Sequence, residues 1–210
     1  MIKNNLNFFN NIQKKNLDSK SIKKFTKLFP KIFSKVFTDI NSSKKTLNIL
    51  NRKFNFNFEF KDLEKFKSFK TIAIIGMGGS ILGSEAVSHF LKEKINKKIY
   101  FFNDLNIKKI QNFKKKKNLN KVLFFVISKS GNTVETLSNF FTLKIIKKNS
   151  KNIIIISEKK NNLLYSLSKK FNLFYVEHKN YIGGRYSVLS EVGIVPAYLM
   201  GININKLRSG

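Results

Sequence analysis

The sequence predicts an α/β protein in which a doubly wound, five-stranded parallel sheet follows a helical N-terminal arm. Five short runs are rich in β-branched or aromatic residues, at 71–75, 99–102, 122–127, 153–156 and 173–176. Successive runs begin roughly 20 to 30 residues apart, which leaves room for a crossover helix each time. Each run is almost continuously apolar, as strands covered by helices on both faces must be. We therefore expect ligands to bind beyond the carboxyl ends of these strands.

The segment 1–68, which precedes the first strand, is rich in lysine, and its apolar residues recur at helical spacing. The recurring positions are Ile22, Phe25, Phe29, Ile32, Phe33, Val36, Phe37 and Ile40. Asp18 or Ser19 could cap this helix, and Pro30 is expected to kink or divide it because proline lacks the amide donor. An amphipathic helix normally docks on a core, so we expect the arm to do so. Binding to a membrane surface is the alternative interpretation.

The length of 210 residues fits one well-buried domain with an appendage. The chain has no cysteine, and His89 and His178 lie too far apart for a local zinc motif, so we expect neither a disulfide nor a metal. The N-terminus Met1–Asn10 lacks the apolar stretch of a secretory signal, and no run approaches the roughly 18 apolar residues of a membrane span. We expect a soluble, cytoplasmic protein without a membrane partner.

A formal charge of +29 raises the possibility of nucleic-acid binding, because basic surfaces bind phosphate backbones by releasing counterions. The lysines are scattered along the chain, however, and they accompany heavy use of Phe, Asn and Ile, which like lysine have AT-rich codons. A nucleotide-biased genome explains these excesses together. The run Lys114–Lys117 is interpreted as a solvated helix end or loop. We expect no nucleic-acid partner and keep nucleic-acid binding as an alternative.

The loop after the first strand, Gly76–Gly83, has the closely spaced glycines that let a backbone approach an anion. Ser80 adds a hydroxyl donor. A dinucleotide fingerprint would need a third glycine where Ile81 stands, so the usual pattern fails. Asp104, after the second strand, could still act as a ribose-binding acid. Dinucleotide binding therefore stays open, as does a tight turn without any ligand.

The third strand runs directly into a polar loop, Ser128–Thr133, just before the next predicted helix. The loop contains Lys129 and the hydroxyls of Ser128, Ser130 and Thr133. Hydroxyls, amides, the helix dipole and an ammonium group all favour an anion, and the three terminal oxygens of a phosphate suit such a loop. The alternative is that the segment merely caps the helix. Because one residue suffices for a cap, we favour the anion site.

The third loop presents Arg185 directly after two glycines, Gly183 and Gly184. This placement would let a guanidinium project into a cleft and stabilise an oxyanion, although a surface ion pair is an equal alternative. Glu135 falls in the first turn of the helix that follows the second loop, where the helix dipole stabilises an acid that has no further role. His178 is interpreted as a structural or solvent-facing residue.

The three loops, in this order and at these separations, resemble the phosphoglucose isomerase family. That family carries a Gly-Gly-Ser loop, a Ser-Lys-Ser or Ser-Lys-Thr loop ending in Thr-x-Glu-Thr, and a Gly-Gly-Arg signature. The matching segments are Gly78–Ser80, Ser128–Thr136 and Gly183–Ser187, the last continuing through Val188–Pro196. The likeness spans residues 70–205 and implies a sugar-isomerase (SIS) type of fold; the arm does not contribute to it.

The resemblance implies a homodimeric cytoplasmic enzyme that interconverts glucose 6-phosphate and fructose 6-phosphate in glycolysis and gluconeogenesis. It implies a cis-enediolate intermediate and no metal or cofactor. By position, the residues that would hold the sugar-phosphate substrate through its phosphate are Gly79, Ser80, Ser128, Lys129, Ser130 and Thr133. Gly183 and Gly184 would form a substrate loop. Arg185 would stabilise the enediolate, and Glu135 would orient a ring-opening histidine contributed by the partner subunit.

The family's glutamate base, ring-opening histidine and late lysine belong to a C-terminal half that this sequence lacks. We therefore expect a fragment or a truncated gene with little turnover of its own, because the loss of a general base removes much of the rate. The expected organisation is a helical arm at 1–68, a SIS-like sugar-phosphate-binding domain at 69–205, and the truncated start of a link to a second domain at 206–210. A non-catalytic sugar-phosphate-binding module is the alternative.

Overall fold

The computed structural model describes residues 18–209. The polar N-terminus Met1–Asn10, about which the sequence made a prediction, lies outside this range, as do the first part of the arm and Gly210. The strands are β1 (Thr71–Ile75), β2 (Lys98–Phe102), β3 (Val122–Ile127), β4 (Ile153–Ser157) and β5 (Phe174–Glu177). The helices are α1 (Ser19–Asn41), α2 (Phe60–Leu63), α3 (Leu82–Phe90), α4 (Ile107–Lys116), α5 (Val134–Leu143), α6 (Leu163–Phe171), α7 (Glu191–Met200) and α8 (Ile204–Arg208).

The five strands form one parallel sheet in the order β2-β1-β3-β4-β5, which confirms the predicted fold class. The predicted bounds of β1 and β3 are confirmed, and those of the other strands differ by one residue at their ends. The winding reverses between β1 and β3, where Ile75 pairs with Val126. The loops that follow these two strands therefore leave the carboxyl edge of the sheet in opposite directions, which opens a crevice between them. Open α/β sheets bind ligands in a crevice of this kind.

The sheet is covered on both faces, and alternate residues of β3 contribute to two separate cores. Leu123 and Phe125 belong to the core that includes the buried helix α7. Phe124 and Val126 belong to the opposite core, together with side chains of α4 and α5 such as Phe140. Every residue of β3 is buried. This burial explains why the strand is continuously apolar rather than alternating.

The arm helix α1 differs from its prediction in two ways. Asp18, one of the two predicted caps, accepts from the amides of Lys20 and Ser21, but the helix continues through Pro30 without a break, so a division at this proline is wrong. A proline removes one backbone hydrogen bond, and the bonds on both sides maintain the helix. The docking prediction is also wrong among the described residues, since Phe29 is 64% and Phe37 62% exposed.

The segment after α1 packs against the residues of the sheet domain. Ile49 and Phe54 pack with Ile182 in a third, small core. The Arg208 guanidinium on α8 donates to the carbonyl oxygens of Ile49, Asn51 and Leu189 at 2.7–3.0 Å. The chain therefore attaches through this segment and leaves the apolar side of α1 uncovered. Within residues 18–209, no helix has both the length and the apolar character needed to cross a membrane.

Candidate functional site

A cleft of about 350 Å³ opens beyond the carboxyl ends of β1, β3 and β4. Its walls combine residues of the three glycine- or hydroxyl-rich loops with two residues that follow β4. The lining residues are Met77, Gly79, Ser80, Lys129, Ser130, Thr133, Glu158, Lys160 and Gly184. The cleft thus lies at the reversal of winding between β1 and β3, as the fold class predicts.

The first and third loops are in direct backbone contact, although they are about a hundred residues apart in sequence. A Cβ atom on Gly79 would overlap the carbonyl group of Gly184 and lie 2.9 Å from the amide nitrogen of Arg185. The Ser187 hydroxyl lies 2.7 Å from the Gly184 carbonyl oxygen and 3.1 Å from that of Gly79, so it joins the two loops. The backbones of the two loops approach so closely at position 79 that only glycine fits there.

The hydroxyls of the second loop converge. Ser128 Oγ lies 2.8 Å from Thr133 Oγ1 and 3.4 Å from Ser130 Oγ, and the latter two are 3.4 Å apart. The amides of Gly131 and Asn132 donate to Ser128 Oγ at 3.2 Å and to Ser130 Oγ at 3.3 Å. The Ser128–Thr133 contact uses one hydroxyl hydrogen, so the second hydroxyl of this pair and that of Ser130 have hydrogens that can be donated to an anion.

Thr133 is the N-cap residue of α5, yet its side chain makes no cap hydrogen bond. Its hydroxyl faces Ser128 instead. Asn106, Asn162 and Ser190, by contrast, do cap α4, α6 and α7. The interpretation of this loop as a simple helix cap is therefore wrong for Thr133. The positive end of α5 has no side-chain cap among the described residues, and a negative charge placed there would be stabilised.

The second loop is held in place by the loop that follows β4. Asn162 donates from Nδ2 to the Glu158 carbonyl oxygen at 2.7 Å, while its Oδ1 accepts from the Tyr165 amide at 2.9 Å. Gly131, at φ +72°, lies directly against this buried amide. The Leu164 amide donates to the Gly131 carbonyl oxygen at 3.1 Å. These contacts fix the positions of the hydroxyls before any ligand arrives.

Two lysines and one acid complete the cleft wall. Lys129 Nζ donates to the Asn180 carbonyl oxygen at 2.8 Å and lies 3.5 Å from Glu158 Oε1. Lys160 Nζ lies 2.5 Å from Glu158 Oε2. Lys129 was predicted from the sequence and Glu158 and Lys160 were not, because only the loops after the first, third and fifth strands carry unusual residues. Their position directly after an apolar strand is the signal that could have found them.

Comparison with known proteins decides the family. The family model for phosphoglucose isomerase matches residues 20–210. The chain belongs to the phosphoglucose isomerase family. Two archaeal relatives agree: the chain is 34% identical over 157 residues to the glucose-6-phosphate isomerase of Methanocaldococcus jannaschii and 35% identical over 192 residues to the probable glucose-6-phosphate isomerase of Methanococcus maripaludis.

These alignments cover 71% and 81% of the chain but only 38% and 44% of the two relatives, so the chain spans less than half the length of the curated proteins it matches. Among solved structures, a hypothetical protein from Thermus thermophilus superposes with a TM-score of 0.71 at 19% identity, covering 90% of this chain and 48% of the other. This likeness supports the fold.

The family's two candidate catalytic residues lie outside the cleft. Arg185 and Glu135 are exposed, and neither forms an ion pair or a side-chain hydrogen bond with another residue in 18–209. Of the predicted residues of the first two loops, the cleft lining includes all except Ser128, which is buried; it also includes Gly184 but not Gly183. Arg185 and Glu135 are thus adjacent in sequence to cleft residues, but neither lines the cleft.

His178 has a structural environment in this member of the family. It is 1% exposed, its Nδ1 lies 2.9 Å from the Lys179 carbonyl oxygen, and its amide donates to the Ser157 carbonyl oxygen at 2.8 Å. Burial lowers the pKa of the imidazole, and the positive charge of Lys129 acts in the same direction. A buried, neutral imidazole of this kind supports the structural interpretation made from the sequence.

Glu191 is a buried acid at the start of α7. Its Oε1 accepts from the Asn57 amide at 3.0 Å and lies 4.0 Å from Lys179 Nζ, while its Oε2 has no hydrogen-bond partner among the described residues. Burial raises the pKa of this carboxyl above its ordinary value of 4.5; Lys179 opposes the shift and Glu177 adds to it. The folded protein therefore holds this proton at pH values where the unfolded chain has released it.

The buried Glu191 is expected to make the free energy of unfolding depend on pH. Because the pKa of Glu191 is higher in the folded protein than in the unfolded chain, the carboxyl contributes fully to the free energy of unfolding below about pH 4.5. This contribution is lost as the pH rises through the folded pKa. We expect Glu191→Gln to be more stable than the wild type at pH 8 and to lose less stability between pH 5 and pH 8. Urea unfolding of both proteins at several pH values measures their free energies of unfolding. Glu59→Gln, which removes an exposed carboxylate, serves as the control, and parallel curves for all three proteins would contradict the prediction.

A larger cleft, of about 780 Å³, lies at the opposite edge of the sheet. Its lining includes residues that precede β1, β4 and β5, such as Phe69, Lys151 and Leu173. Its lining contains no glycine; its hydroxyl residues, Ser68, Ser150 and Tyr175, come from three separate segments. The helix N-termini of a parallel sheet point away from this edge. The smaller cleft at the carboxyl edge is therefore the candidate functional site.

Proposed function

We propose that this chain contributes the phosphate-binding part of a glucose-6-phosphate isomerase. The observation that supports this most directly is the convergence of Ser130, Thr133, Lys129 and the uncapped start of α5 on one wall of the cleft, with the buried Ser128 hydroxyl 2.8 Å from Thr133 Oγ1. A phosphate carries close to two negative charges and three terminal oxygens at neutral pH. Hydroxyl donors, backbone amides and a helix dipole together match this charge and this number of acceptors.

The reaction itself is proposed from family membership. The full-length protein would interconvert glucose 6-phosphate and fructose 6-phosphate through a cis-enediolate, in glycolysis and gluconeogenesis, as a homodimer in the cytoplasm. Arg185 would stabilise the enediolate, and Glu135 would orient a ring-opening histidine. We propose residues 69–205 as the sugar-phosphate-binding domain, residues 1–68 as the arm, and residues 206–210 as the start of a link.

A second candidate function is a sugar-phosphate-binding module without catalysis. The exposed positions of Arg185 and Glu135, away from the cleft lining, favour this alternative. The two functions share the phosphate site and differ in whether Arg185 matters for turnover. In a full-length family member, the arginine equivalent to Arg185 can be replaced by glutamine. Loss of activity with unchanged affinity for fructose 6-phosphate would support the isomerase function.

The phosphate site is tested by removing two hydroxyls together. We expect Ser128→Ala combined with Thr133→Val to weaken binding of fructose 6-phosphate by about 100-fold, because each hydrogen bond to a charged group contributes about 1.5–3 kcal/mol. Valine retains the shape of threonine. Calorimetric titration of the 210-residue chain measures the affinity for fructose 6-phosphate, with fructose as the neutral ligand.

Ser138→Ala, on the exposed side of α5, is the matched control and should bind like the wild type. The melting temperatures of all variants establish that they are folded. If the wild-type chain responds equally to fructose and fructose 6-phosphate, the proposed phosphate site is wrong. Unchanged affinity in the double variant would place the phosphate elsewhere.

A further inference from the structure

The loop after β4 places an acid between two lysines at the mouth of the cleft. Glu158 Oε1 lies 3.5 Å from Lys129 Nζ, and its Oε2 lies 2.5 Å from Lys160 Nζ. The Glu158 side chain is only 10% exposed, whereas that of Lys160 is 54% exposed. The acid therefore belongs to the wall of the cleft, and the second lysine reaches it from the solvent side.

The backbone of Glu158 is fixed to the hydroxyl-bearing loop. Its amide donates to the Lys129 carbonyl oxygen at 3.1 Å, and its own carbonyl oxygen accepts from Asn162 at 2.7 Å. A carboxylate on this anchored, short side chain has little freedom to move. Lysine has a flexible four-carbon stem and a compact ammonium group, so Lys129 and Lys160 can each turn toward a new anion nearby.

A phosphate in the cleft would compete with Glu158 for these ammonium groups. It carries a charge of about −1.5 to −2 at neutral pH, compared with −1 for a carboxylate, and it offers more acceptor oxygens. The same carboxylate would repel the phosphate, since both are negative and share one cleft. The two lysines would favour binding, and Glu158 would oppose it.

We propose that Lys160 binds the phosphate together with Lys129, and that Glu158 competes with the phosphate for both lysines and so limits affinity. This rests on the proposed function, because it requires a phosphate in the cleft. A competing carboxylate speeds release: it re-forms the two ion pairs as the phosphate leaves, so that the charged lysines are never left without a partner. Lys160 is a binding residue, and Glu158 acts through the lysines.

The role of Lys160 is tested against its neighbour. Lys159 is exposed and does not line the cleft, so Lys159→Gln removes the same charge one residue away. Calorimetric titration with fructose 6-phosphate and with inorganic phosphate, at low salt, should give about five-fold weaker binding for Lys160→Gln and less than about two-fold for Lys159→Gln. The difference should shrink at high salt, where charges are screened.

The role of Glu158 is tested by the sign of its effect. Glu158→Gln is expected to tighten binding of both ligands by about three-fold, because it frees two lysines and removes a like charge. Structural damage would weaken binding instead. The double variant Glu158→Gln with Lys160→Gln should bind less tightly than Glu158→Gln alone.

Failure of this inference is distinguishable from failure of the proposed function. If the wild type binds fructose 6-phosphate but Lys160→Gln and Lys159→Gln have equal affinities, the role of Lys160 is wrong and the phosphate site stands. Weaker binding by Glu158→Gln, whatever its melting temperature, overturns the competing role. A wild type that responds equally to fructose and fructose 6-phosphate overturns both the inference and the proposed function.

Discussion

Replacing Gly79 by alanine is expected to lower the free energy of unfolding by about 3 kcal/mol, the upper end of what overpacking a tight site costs. The added Cβ would overlap the carbonyl group of Gly184, and both sides of this contact are backbone, so no side chain can move aside. The first and third loops would have to separate. Thermal unfolding should show a melting temperature about 9 °C lower, since each kcal/mol shifts a domain of this size by about 2–4 °C.

The same substitution should weaken binding of fructose 6-phosphate by about 100-fold, because Gly79 and Ser80 line the cleft and would shift with the loop. Gly184→Ala is the matched control on the other side of the contact. A Cβ there comes no closer than 3.9 Å to Gly79, an ordinary van der Waals distance. If the two alanine variants are equally stable and bind equally well, the close approach does not hold the loops together.

Gly131→Ala is expected to have the second-largest effect, about 3 kcal/mol of stability with about a 50-fold loss of phosphate affinity. The residue has φ +72°, and a Cβ would overlap the Asn162 side-chain amide. Asn162 is 4% exposed and cannot move without losing its bonds to Glu158 and Tyr165. The hydroxyls on either side of Gly131 would then lose their fixed spacing.

Gly201→Ala separates backbone strain from this overlap. Gly201 has φ +97°, yet a Cβ there would meet nothing within 4 Å. Its substitution should cost about 1 kcal/mol, the cost of a left-handed conformation for a residue with a side chain, and should leave ligand affinity unchanged. Denaturant unfolding and calorimetric titration of both variants provide the comparison. A Gly131→Ala variant as stable as Gly201→Ala would show that Asn162 does not constrain the loop.

Much of the sheet could be predicted from the sequence because strands buried on both faces leave a direct signature. Val122–Ile127 reads as one uninterrupted apolar run, and its bounds in the structure are the same. The order of the strands does not follow from such runs, since any parallel arrangement buries them equally well. Docking of α1 was mispredicted for a related reason. Amphipathic spacing identifies a helix and its apolar face, but not the surface that covers that face.

Some residues of the candidate site could likewise be predicted from the sequence, and others could not. Ser128, Ser130 and Thr133 are close enough in the chain for their types and spacing to indicate an anion-binding loop. Glu158 and Lys160 follow an apolar strand, but they are charged residues in a lysine-rich chain, and the sequence does not show which loop theirs lies beside. They became part of the site only when β4 was placed beside β3, which brings their loop to the second loop.

The sequence by itself determined the fold class, the three loops and, through them, the phosphoglucose isomerase family, because residue type and local spacing carry these properties. Only the tertiary structure decided which side chains meet. Gly79 contacts Gly184, Lys129 and Lys160 share Glu158, and Arg185 and Glu135 remain outside the cleft. Such contacts join residues that are distant in the chain, and they depend on strand order and loop packing, which local sequence patterns do not encode.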